Sequence, residues 1–158
     1  MNDSAISIRD VEHDESAVYV LYAASYFART AKTDLTMEIY LAALYVVAFN
    51  RLMPYCRSPE SLVDFVAKQY DLLLPVWVYW VSIYEALKDH KGMTMCKTAP
   101  EVELLLNEAA RTALSHHRTI SIHDILATLL QSENEACRKF LAAGFDIERM
   151  LEDFGRRF

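Results

Sequence analysis

The sequence predicts an all-α fold, an eight-helix bundle built as two tandem four-helix repeats. Three observations predict it. Apolar residues recur at Val102, Leu105, Leu106, Ala109, Ala110, Ala113 and Leu114, in steps of three and one that draw one stripe along an α-helix. Punctuation is scarce: 158 residues hold three glycines and four prolines, whereas all-β folds need both residues at frequent turns. The helical pattern of the C-terminal half also returns in the N-terminal half at a fixed offset.

The C-terminal elements are the plainest. Pro100 suits the first position of a helix, where its missing N–H leaves no bond unmade, and Glu101 and Glu103 complement the positive end of the helix dipole. Ser121 caps the next helix with Asp124 three residues on, as in a capping box, and Ile122, Ile125, Leu126, Leu129 and Leu130 form its stripe. A shorter helix carries Ala136, Cys137, Phe140 and Leu141 on one face, and Gly144 is expected to close it as a left-handed cap. Asp146 starts the last helix, whose face is Ile147, Met150, Leu151 and Phe154.

An offset of 85 positions lays Leu21 on Leu106, Ala24 on Ala109, Ala28 on Ala113, Thr36 on Ser121, Leu41 on Leu126 and Leu44 on Leu129. An offset of 75 lays Phe65 on Phe140, Ala67 on Ala142, Tyr70 on Phe145 and Asp71 on Asp146. The first copy therefore carries ten extra residues, 85 − 75, around Val46 to Arg57. The repeats run from about 15 to 89 and about 100 to 155, with 90–99 as linker, in one domain 1–158.

Composition bounds the function. The chain is 53% hydrophobic and 24% charged, enough apolar material for a core and too much for long disorder. The glycines Gly92, Gly144 and Gly155 fit neither a phosphate loop nor a dinucleotide fingerprint. A net charge of −6 and a pI near 5.3 disfavour nucleic acid and anionic membrane surfaces as partners. Cys56, Cys96 and Cys137 form no C-x-x-C pair, which fits a reducing, cytoplasmic setting. The polar, acidic start shows no secretory signal. The most apolar run, Leu72 to Tyr84, has 13 residues and a proline, short of the roughly 20 that span a bilayer.

The stretch LLLNEAARTALSHHRTISIHDILATLLQSENEACRKFLAAGFDIERMLEDF, from Leu104 to Phe154, resembles the N-terminal repeat of Clp-family unfoldases, and DLTMEIYLAALY in the first half fits the same pattern. The succession of elements and the duplication carry the resemblance, over about residues 17–154. It implies a pseudo-twofold eight-helix domain that is not an enzyme, needs no cofactor and docks proteins. The partners it implies are a Clp-like ATPase, its substrate or adaptor, or the sheath protein of type VI secretion. It implies further that the chain is a stand-alone accessory or part of a longer unfoldase.

Some relatives bind phosphoarginine through a glutamate at the start of the second helix of each repeat, and Glu38 matches that position. A carboxylate there suits a guanidinium fork; it equally serves the dipole of the helix that Thr36 begins. The matching residue of the second repeat is His123, followed by Asp124, which breaks a two-site pattern. His116, His117 and His123 lack a zinc-ligand spacing, and Ser121, His123 and Asp124 stand too close along one helix start to converge on a reaction centre. The aromatic run Trp77, Tyr79, Trp80 and Tyr84 belongs to a helix beginning near Pro75, either packed between the repeats or exposed for docking. With Tyr40 among the tyrosines of the first repeat, the candidate protein-binding residues are Glu38, Tyr40, Trp77, Tyr79, Trp80 and His123. From another class, an all-helical sensor could enclose a small ligand in an apolar aromatic pocket.

Overall fold

Residues 14–69 and 97–154 are described by a computed structural model. The aromatic run Leu72–Tyr84 and most of the linker fall outside them. Among the described residues all regular structure is helical, and extended pairing is confined to isolated bridges. Helix α1 spans Glu15–Ala31, α2 Met37–Val47, α3 Phe49–Leu52 and α4 Pro59–Gln69. Then come α5 at Pro100–Ser115, α6 at Ile122–Gln131, α7 at Glu135–Ala142 and α8 at Ile147–Phe154. None of these helices is long and apolar enough to cross a membrane.

The helices begin where local chemistry places them. Asp14 caps α1 by accepting from Ala17 N at 2.9 Å, and Pro100 opens α5. Thr36 and Ser121 cap α2 and α6, and only Ser121 completes a capping box, with Asp124. Asn134 caps α7 through Cys137 N at 3.2 Å. The ends of α1 and α5 turn left-handed at Lys32, φ 58°, and His117, φ 54°. In both turns the next residue donates back to the carbonyl five earlier, Thr33 N to Ala28 O and Arg118 N to Ala113 O, each 3.0 Å. A glycine-poor chain thus makes these turns with a lysine and a histidine, against a penalty of about 1–2 kcal/mol each.

Helix α2 is buried around nearly its whole circumference: Met37 and every residue from Ile39 to Val46 lie in the core. It packs on α1, α3, α5 and α7, while α6 packs on α5 and α8. One apolar cluster runs through both halves, from Ala17 to Phe154. The expected stripes face this cluster except at Leu114 and Leu151, which stand exposed at 43% and 51%. The halves are also tied by backbone. Leu35 donates to Lys97 O at 2.8 Å and accepts from Ala99 N at 3.0 Å, and Asp14 donates to Ile120 O at 2.8 Å.

Before α4, helix α3 and a 3₁₀ turn, Met53–Tyr55, reach across to α8 and the turn before it. The Tyr55 ring lies 5.1 Å from that of Phe154, and its hydroxyl donates to Asp153 at 2.8 Å. Arg149 donates to Pro54 O at 2.9 Å, and Asp146 N donates to Tyr55 O at 2.7 Å. Gly144 sits in this seam and is not the left-handed cap the sequence suggests, for its φ lies outside that region. Its requirement is proximity: its carbonyl accepts from Arg57 N at 2.7 Å, and a Cβ would come within 2.8 Å of Ser58 O.

Candidate protein-binding surface

The six residues expected to bind a partner are placed very differently. Glu38 is exposed in the first turn of α2. Tyr40, two residues on, has no exposed surface, its hydroxyl has no hydrogen-bond partner among the described residues, and burial pushes its pKa up. This corrects the expectation for Tyr40: it is a core residue, out of reach of a docking protein. His123 is half-buried, its ring 5.5 Å from that of Phe154. Trp77, Tyr79 and Trp80 lie outside the described residues.

Beside His123, Ser121 and Asp124 are occupied with helix capping. The Asp124 carboxylate, 1% exposed, accepts from Ser121 N at 3.0 Å and Ser121 Oγ at 3.1 Å, and pairs with Arg118. Asp124 N returns a bond to Ser121 Oγ at 3.2 Å. His116 Nδ1 lies 3.0 Å from Thr112 O at the end of α5.

Glu38 lies near enough to α7 to act on a buried thiol there. That thiol is Cys137, whose pKa is raised first by burial, lowered by a hydrogen bond with Ser132 and raised again by Glu38. Ser132 belongs to the α6–α7 turn and also lines a groove of about 430 Å³. One wall of the groove is α5, through Glu101, Leu104, Leu105, Glu108 and Thr112. The other is the end of α6 and the turn into α7, from Thr128 through Gln131 to Asn134. Leu104 is 64% exposed there, a leucine that the core face of its helix does not use.

The groove's threonine hydroxyls are committed to backbone: Thr128 Oγ1 donates to Asp124 O at 2.7 Å, and Thr112 Oγ1 to Glu108 O at 3.3 Å. What it offers outward is apolar surface at Leu104 and the carboxylates of Glu101, Glu108 and Glu133. Sequence reasoning missed this surface. Its signal was Leu104 itself, off the stripe of α5 and flanked by glutamates at 101, 103 and 108. No protein-family model matches this sequence, and a search of curated proteins finds no match.

Proposed function

We propose that this chain is a non-enzymatic protein-interaction module with the doubled four-helix architecture of Clp unfoldase N-terminal domains. In this reading it docks an unfoldase substrate or adaptor, or a sheath protein, on behalf of a Clp-like ATPase. One observation carries the architectural part: features that packing alone does not duplicate recur 85 residues apart. Glu15 and Pro100 open helices, Thr36 and Ser121 cap helices, and Lys32 and His117 take left-handed turns. The bond from Ala99 N to Leu35 O likewise has its counterpart in that from Asp14 N to Ile120 O. Such an exchange, each half's extended residue receiving the segment that leads into the other half, is what a pseudo-twofold axis produces.

The docking part is supported by a groove that pairs an exposed leucine with carboxylates, the mixture of apolar anchor and polar rim that protein interfaces use. Affinity capture with the immobilised chain from native lysate tests the function. Enrichment of an unfoldase, its protease or a sheath protein is expected; enrichment of none of them removes the role.

A further inference from the structure

We infer that the groove between α5 and the α6–α7 turn docks a cationic amphipathic peptide segment. Leu104 meets its apolar side chain, and Glu101, Glu108 and Glu133 meet its lysines or arginines. The inference rests on reading the chain as a protein-binding module and names the chemistry of the partner.

The apolar half of the argument is Leu104. Helix α5 completes its core face with Val102, Leu105, Leu106, Ala109, Ala110 and Ala113, so Leu104 adds nothing to the core and exposes 64% of its surface. A large apolar side chain at the mouth of a concave site stabilises whatever covers it.

The charged half is the imbalance of the lining, which holds three glutamates and no lysine, arginine or histidine. The end of α6 adds to it, because the last turn of that helix carries no basic residue to offset its negative pole. The positive pole of α7 is already served by the Asn134 cap and by Glu135 in its first turn. The positive pole of α5 is offset by Glu101 and Glu103 in its first turn, so the lining as a whole favours cations.

The cations it suits are separated ones. Among the described residues no group of three or more His, Cys, Asp and Glu is close enough to hold a metal ion. Glu101 and Glu108 stand seven residues apart on one helix, roughly 10 Å along its axis. That spacing matches basic side chains distributed around an apolar one on a peptide, in the way electrostatic complementarity fixes register at interfaces.

The test is fluorescence anisotropy with a short fluorescein-labelled peptide of leucine, alanine and lysine, alongside a counterpart with glutamate for every lysine. Saturable, salt-sensitive binding of the lysine peptide and none of the acidic one is expected. Leu104→Ser, and separately the triple change Glu101→Gln, Glu108→Gln and Glu133→Gln, each weaken binding about tenfold. Glu148→Gln on α8 leaves it unchanged, and circular dichroism verifies that every variant keeps its helices. Three results overturn the inference: no saturable binding, a Leu104→Ser variant that binds as well as the parent, or spermine displacing the probe as effectively as unlabelled peptide. If the groove fails while the chain still captures an unfoldase, the module reading stands; if the groove binds and no such capture occurs, the Clp-linked role falls alone and the protein-binding reading remains.

Discussion

Helices α2 and α6 start with the same turn and secure it by different physics. At α2 the cap is one long bond, Thr36 Oγ1 accepting from Ile39 N at 3.4 Å, and the third helical residue is the buried Ile39. At α6 that position is Asp124, whose carboxylate gathers Ser121 and Arg118 into a polar network almost closed to solvent. Packing holds one start and hydrogen bonding holds the other. The next-door residues follow suit: Glu38 stays exposed at the bare start, while His123 lies against Phe154 at the other. Two helix starts of similar backbone geometry thus carry different side chains, an exposed carboxylate at one and a nearly buried capping network at the other.

The comparison can be broken at several points. The largest effect is expected from Phe154→Ala, about 4 kcal/mol, because the ring is fully buried and both Tyr55 and His123 rest on it. Urea unfolding measures it, and a loss below about 1 kcal/mol would mean that α8 does not anchor the α6 start. Next comes Asp124→Ala, about 3 kcal/mol, the low end for a broken buried pair because Arg118 keeps a third of its side chain in water. Thr36→Ala in the same assay is expected to cost about 1 kcal/mol or less. Equal losses at the two caps would end the contrast.

Tyr40→Phe sharpens it from the other side. Removing a buried hydroxyl that has no partner among the described residues relieves a desolvation penalty, so the melting temperature should hold or rise by about 2–4 °C. A fall would reveal a bond that the hydroxyl makes. The smallest effect is at Asp146, where the Arg149 backbone N–H, and then Arg57, hold the carboxyl below its ordinary range. A depressed folded-state value means that this support is present above the ordinary carboxylate range and fades as pH falls through the depressed one. Asp146→Asn should therefore lose stability near neutrality and converge with the parent in acid, as thermal melts across pH would show.

Much of this was legible in the residue order. The stripes of α5 and α6, the Ser121–Asp124 box, Pro100 at a helix start and Asp146 before α8 all depend on residues a few positions apart, where sequence spacing is spatial spacing. The 85-residue offset was legible too, since it compares local patterns with each other. Leu114 and Leu151 belong to apolar stripes and yet stand exposed, because periodicity gives a residue's direction on its helix and says nothing of where the neighbouring helix ends. Of the expected binding residues, Glu38 is where a partner could reach it, whereas Tyr40 is not. Near-complete burial of α2 follows from helices arriving on every side, which its own eleven residues do not encode.

By itself, then, the order of residues determined that the described residues are helical and where most of their helices begin. These follow from hydrogen bonds and side-chain directions within one or two turns. Tertiary structure decided the rest: that Gly144 is needed for the approach of Ser58, that the turn before α4 clasps α8, and that Leu104 opens onto an acidic groove. Each of those joins atoms from distant parts of the chain or depends on surface left uncovered, and no local rule carries that information.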